Sequence, residues 1–169
     1  MNAKTVSRCA FMCALSFIIL YLSVIVDTLK IVMLCISTTL LCLVVDKDGI
    51  KNALITYFAT SLILYFLLPD KFIAIVYLIS FGNYAIVKYF IEKTRNFKIE
   101  IIIKFLVINM YLAIGFFVSK IFINFETIKI PMVALLILAY IVFFICDWAI
   151  SYLLSYISIR LSKLNFWRK

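Results

Sequence analysis

The sequence contains no histidine, only three glycines and two prolines, and charged residues make up 15% of its 169 positions. Without an imidazole there is no ordinary base near neutral pH and no histidine ligand for a metal or haem, so histidine-dependent catalysis is excluded. Metal-binding cysteine patterns are missing as well. Cys9, Cys13, Cys35, Cys42 and Cys146 all fall in apolar runs, with no C-x-x-C pair and no zinc spacing, and so read as buried filler. No cofactor and no metal site is expected. What the chain has instead is apolar mass: 67% hydrophobic and 17% aromatic residues, where a soluble domain is about half apolar. The expectation is an integral membrane protein.

Charge divides the chain into six segments near the length of about 20 residues that a membrane-crossing helix needs. They run over about 9–26, 28–45, 50–68, 72–91, 100–122 and 131–158. The separators are Asp27 to Lys30, the sequence DKDG at 46–49, PDK at 69–71, the polar run Glu92 to Lys98 and INFETIKIP at 123–131. The uninterrupted apolar run of the second segment, Ile31 to Val45, is only 15 residues, and it bridges a bilayer only if Lys30 snorkels outward. Closed barrels in lipid need a two-residue alternation, which these segments lack, so helices are predicted. The first segment has no small-residue cleavage site before Asp27 and reads as a retained anchor. DKDG reads as a cytoplasmic turn, not a metal-binding D-x-D centre. The expected fold is all-α, one six-helix transmembrane bundle spanning 1–169.

If the segments alternate in direction, thirteen basic residues share one side: Lys4, Arg8, Lys47, Lys51, Lys88, Lys93, Arg95, Lys98, Lys104, Arg160, Lys163, Arg168 and Lys169. Lys30, Lys71, Lys120 and Lys129 take the other. The positive-inside rule then puts the thirteen, and both termini, in the cytoplasm of a cell-membrane protein. Juxtamembrane placement beside lipid headgroups accounts for the net charge of +9 without a nucleic-acid partner.

Asp147 stands in the apolar stretch IVFFICDWAISYLL. At 1.5 Å per residue it lies about 20 Å from Arg160, inside the hydrocarbon. A charge there costs at least about 2.5–3.5 kcal/mol, so it is expected to face the bundle interior and find partners. Asn83 and Asn109 fall at similar depth, about 15–17 Å, and Tyr140 and Ser151 share a helix face with Asp147. Asp147, Asn83, Asn109 and Tyr140 are therefore candidate solute contacts. Alternatives are an ion pair with Lys104, near the limit of a lysine's reach, or a neutral carboxyl acting as donor. Thr60, Ser61 and Ser37 to Thr39 read as packing contacts between helices.

On the first segment, Ala10 and Ala14 leave one face bare beside Arg8, a small-x-x-x-small pattern that admits another helix backbone. Six short segments, a basic first turn, this A-x-x-x-A, Gly49 and FGNY at 81–84 together resemble the substrate-binding S components of energy-coupling factor importers. That resemblance implies capture of a small solute and docking, through Ala10 and Ala14, on a transmembrane coupling subunit joined to cytoplasmic ATPases. It implies no enzymatic activity in this chain. The other function class left open is a non-catalytic membrane scaffold with no solute. A membrane enzyme ranks third, since no convergent acid, base and metal-ligand set is visible.

Overall fold

The computed structural model describes the backbone of residues 3–94, 96–122 and 132–163, and the side chains of these except 97, 116–122, 132–135 and 160–163. The separator at 123–131 and residues Arg95, Lys129, Arg168 and Lys169 lie outside the described residues, as do the side chains of Lys120, Arg160 and Lys163. Six helices follow one another: α1 (Ala3–Ile25), α2 (Lys30–Asp48), α3 (Ile50–Leu67), α4 (Lys71–Lys93), α5 (Phe97–Phe122) and α6 (Met132–Lys163). No strand occurs among the described residues. Among the described residues, five of the helices are long and apolar enough to cross a membrane. Helix α5 carries Lys98, Glu100 and Lys104 in its first two turns.

The separators are shorter than the sequence suggests. DKDG is not a four-residue turn: α2 continues through Asp48, and Gly49 alone, at φ 87°, reverses the chain into α3. A side chain would strain that left-handed backbone. The buried carboxylate of Asp48 pairs with Arg8, fastening the start of α1 to the end of α2. At the opposite end Pro69 holds Leu68 extended (φ −77°, ψ 130°), so α3 stops there. Asp70 then caps α4 by accepting from the Phe72 amide at 3.0 Å. Its other oxygen accepts from Lys30 at 3.3 Å, while Asp27 accepts from the same lysine at 2.8 Å.

The second segment, expected to be the weakest crossing, is the centre of the bundle. In α2 with its 3-10 entry turn (Asp27–Leu29), 61% of the most apolar stretch is buried, against 33% for α1 and α3. The helix packs against α1, α3, α4 and α6. Every residue from Leu40 to Val45 is buried, the pattern of a helix apolar on all faces. Its hydroxyls are short enough for close packing and bond mainly to their own helix. Thr39 donates to Cys35 O at 2.8 Å, and Thr38 lies 2.8 Å from Leu34 O. Facing it on α3, Thr60 donates to Thr56 O at 2.7 Å.

One irregularity shapes the region used below. Over Tyr77–Phe81, α4 winds as a π-helix before returning to α-helix at Gly82. Widening the turn loosens carbonyls from the helical ladder, and neighbouring helices take them up. The Tyr57 hydroxyl donates to Leu78 O at 2.6 Å, and Thr38 Oγ1 lies 3.1 Å from Phe81 O. Gly82 makes this possible, because a β-carbon there would stand 2.7 Å from the Tyr57 ring and 3.0 Å from Tyr77 O.

Gly82→Ala is expected to destabilise the protein by about 1–3 kcal/mol, the cost of overpacking a filled site. Tyr57→Ala should relieve part of that clash, so thermal unfolding of the two single variants and the double variant should be non-additive, with the double variant less destabilised than the sum. Additive losses would place the Gly82 contact elsewhere.

Candidate functional site

The apolar stretch around Asp147 does bury its carboxylate, with the residue 6% exposed. The acid is ionically paired on both sides. Lys88 of α4, only 1% exposed, pairs with Oδ1. Lys104 of α5 pairs with Oδ2 at 2.7 Å, and the Tyr84 hydroxyl donates to Oδ1 at 2.6 Å. Each lysine reaches a second acid nearer the end of its helix: Lys88 to Glu92 at 3.1 Å, Lys104 to Glu100 at 2.6 Å. Three helices are thus joined by the alternating chain Glu92, Lys88, Asp147, Lys104, Glu100.

Local periodicity builds this chain. Tyr84, Lys88 and Glu92 recur every four residues on one face of α4, as Glu100 and Lys104 do on α5. On α6, Asp147 and Ser151 are likewise one turn apart, and Ser151 lies 2.8 Å from the Lys88 ammonium. Lys88 therefore has an acceptor for each of its three protons, in Asp147, Ser151 and Glu92. Burying a lone charge would be costly; a fully bonded pair offsets most of that cost.

One expectation is corrected here, and one named alternative is met. Lys88, grouped with the cytoplasmic juxtamembrane lysines, is buried on the Asp147 carboxylate. Counting residues from a helix end gives height but not facing, and Lys88 faces inward. The Lys104 to Asp147 distance, which seemed near the limit of reach, is spanned by an ion pair. With two cations at hand, Asp147 is placed as an acceptor, not as a neutral donor.

The polar residues expected to converge with Asp147 do not all do so. Asn109 is exposed on α5 and donates to Phe105 O at 2.7 Å, while accepting from the Tyr140 hydroxyl at 2.6 Å. The Tyr140 ring stacks on Phe105 at 5.1 Å, so this pair bridges α5 and α6 on the outer surface. Asn83 is half-buried on α4 and is not among the partners of Asp147. Ala10 and Ala14 are both exposed on α1.

On the side of the ionic chain away from Glu92 and Glu100, a cavity of about 240 Å³ lies between α4, α5 and α6. Asp147 and Tyr84 form its base. Its walls are mostly apolar and aromatic, with Phe81 at the end of the π-turn, Tyr111 on α5 and Phe143 on α6. Tyr84 meets Phe143 edge-on at 5.3 Å and Tyr111 edge-on at 6.4 Å. Asn83, Asn109 and Tyr140 do not line this cavity. Sequence reasoning missed Tyr111 and Lys88. The four-residue recurrence Tyr84, Lys88, Glu92 was the available signal for the second. Among the described residues, no group of three or more histidine, cysteine, aspartate or glutamate side chains is placed to hold a metal ion.

Asp147→Asn should be the most damaging single change in the ionic chain, because it leaves the buried Lys88 and the partly buried Lys104 ammonium groups without their shared anion. A loss of about 3 kcal/mol or more is expected. Lys88→Met should cost less, since Lys104 and Tyr84 still serve the carboxylate, and adding Lys88→Met to Asp147→Asn should restore stability. Urea or thermal unfolding of the three variants in detergent checks the order; a double variant weaker than Asp147→Asn alone would refute it.

Compared with known proteins, the chain matches no family model, no curated protein and no solved structure.

Proposed function

We propose that this chain is the membrane-embedded, small-solute-binding subunit of an importer of the energy-coupling factor type, working with a transmembrane coupling subunit and cytoplasmic ATPases. The observation that carries the reading is the cavity between α4, α5 and α6, closed at its base by a charge-balanced carboxylate and walled by aromatic rings. Few polar groups converging in an apolar hollow is the usual form of a small-molecule site. In this reading the chain is no enzyme, and ATP hydrolysis by the partners drives solute release.

The proposed topology has six crossings with both termini in the cytoplasm. The pairing of the α5 charges supports its inclusion, since Lys104 is paired with both Glu100 and Asp147 and so is not a bare charge in lipid. Arg8 with Asp48 at one end of the bundle, and Lys30 with Asp27 and Asp70 at the other, suit helices that alternate in direction. Asp147 is the polar floor of the proposed site, and the Asn109 to Tyr140 bond braces the wall beside it. Asn83, half-buried on α4 and outside the cavity lining, remains a proposed contact of the solute. Ala10 and Ala14 lie exposed on α1, as a helix docking on a partner requires.

A scaffold without solute is the second reading, favoured by one observation: the most deeply placed acid spends its acceptors on groups of its own chain. Native mass spectrometry of the protein gently extracted from its own membrane separates the two. The importer reading expects a coupling subunit, an ATPase pair and a small molecule released on activation. Protein partners without any small molecule would favour the scaffold. Replacing Ala10 and Ala14 together by Leu is expected to abolish copurification of the coupling subunit while leaving the unfolding temperature unchanged, because both side chains are exposed; retained copurification would remove the docking role.

A further inference from the structure

We infer that the cavity takes an uncharged, planar ring compound bearing a hydrogen-bond acceptor, and that Tyr111 is the residue that recognises it. This rests on the solute-binding reading above and names the class of solute.

Size comes first. A cavity of roughly 150 Å³ lined by apolar side chains accommodates benzene, so about 240 Å³ suits a compound of two fused rings. Shape follows from the walls. Tyr84 already sets its ring edge-on to Phe143 and to Tyr111, and a flat aromatic guest can extend that arrangement with favourable offset or edge contacts.

Charge is decided at the base. The Asp147 carboxylate is neutralised by Lys88 and Lys104, and both lysines hold a further acid. A cationic guest finds no free anion and an anionic guest no free cation, so either would lose its hydration without compensation. A neutral guest loses little.

The polar contact is Tyr111. Its side chain is 8% exposed, lines the cavity, and its phenol oxygen has no hydrogen-bond partner. The neighbouring Tyr84 hydroxyl is committed to Asp147. Ser37, Ser61 and Tyr77 also bury unpartnered hydroxyls, but none of them lines this cavity. A buried hydroxyl left unpaired costs folding stability, and a guest that accepts its proton recovers that cost on binding. The same hydroxyl makes an acceptor-bearing ring bind better than a plain hydrocarbon of equal shape.

The test uses the full chain in lipid nanodiscs at neutral pH, with quinoline as the probe, naphthalene as its isostere lacking an acceptor, and 2-naphthoate as the charged analogue. Ala139→Phe, which fills the cavity, corrects for partition into lipid. Quinoline is expected to bind the wild-type cavity about fivefold more tightly than naphthalene, the worth of one net hydrogen bond. Tyr111→Phe should abolish that preference while its unliganded unfolding temperature equals or exceeds that of the wild type, because an unpaired hydroxyl has been removed. If no probe binds the wild type better than Ala139→Phe, the solute site itself falls, as it would if a lipid chain filled the hollow. If the probes bind but naphthalene equals quinoline, or 2-naphthoate binds more tightly, or Tyr111→Phe keeps the preference, the site survives and the assignment of class and residue is wrong.

Discussion

One carboxylate shared by two lysines holds the second half of this molecule together. Helices α1 to α3 pack closely around one another, with α2 and α3 on α4, whereas among the described residues α5 lies mainly against α4. What ties α5 to α6 is side-chain chemistry: Lys104 on Asp147, Tyr140 on Asn109, and the stacked Phe105 and Tyr140 rings. At an effective dielectric constant of about 20, each contact ion pair near 3 Å is worth roughly 5 kcal/mol of attraction before desolvation. Most of that is offset by removing the charges from water, so the chain of charges contributes position more than net stability. It fixes how closely α4, α5 and α6 approach at one level of the bundle, and the hollow next to that level is what their remaining separation leaves.

The hollow also depends on a device farther away. A regular α4 would set Phe81 and Tyr84 at the ordinary rotation from Tyr77. The π-turn over Tyr77–Phe81, with more residues per turn, shifts the angular phase between the two halves of the helix. Tyr84 and Lys88 then both reach Asp147, while Tyr77 is fully buried in the core. The carbonyls released by that widening are received by Tyr57 and Thr38, and Gly82 lets the Tyr57 ring come near enough to do so. Thr38 on α2, Tyr57 on α3 and Gly82 on α4 therefore act on the cavity without lining it. In lipid, where water cannot satisfy a freed carbonyl, such side-chain donors are a requirement of the irregular backbone.

Much of the helical framework was legible in the sequence, because bilayer thickness and the cost of unpaired backbone groups allow few alternatives to long apolar helices. Ends were read less well. Asp46 and Lys47 looked like a turn by composition, yet Gly49 alone supplies the reversal. The centrality of α2 was hidden for a related reason: its shortness suggested a marginal crossing, while its unbroken apolar run from Leu40 to Val45 marks burial on all sides. At the site, Asp147 stood out since a lone acid in an apolar run must find partners. Its partners did not stand out. Lys88 has the composition of an interfacial lysine, and only the inward rotation of its helix face distinguishes it. Tyr111 is one of ten tyrosines, and an unpaired hydroxyl is a property of the packed structure that no local pattern announces.

The balance of charge around Asp147 finally constrains what the cavity can select. Had the acid stood alone, it would have favoured a cation, and the aromatic walls would have reinforced that preference through their negative faces. With Lys88 only 5.9 Å from the centre of the Tyr84 ring and bonded to the acid, both the carboxylate and one aromatic face are already occupied by a cation of the chain itself. Discrimination against charge is then achieved without a repulsive group, simply because every formal charge near the base has a partner. In that reading, what would distinguish one neutral guest from another is the shape of the apolar walls and the hydroxyls that line them, the buried and unpartnered one of Tyr111 above all. Selectivity in this bundle would therefore rest on a few ångströms of α5, the helix that the ion pairs position.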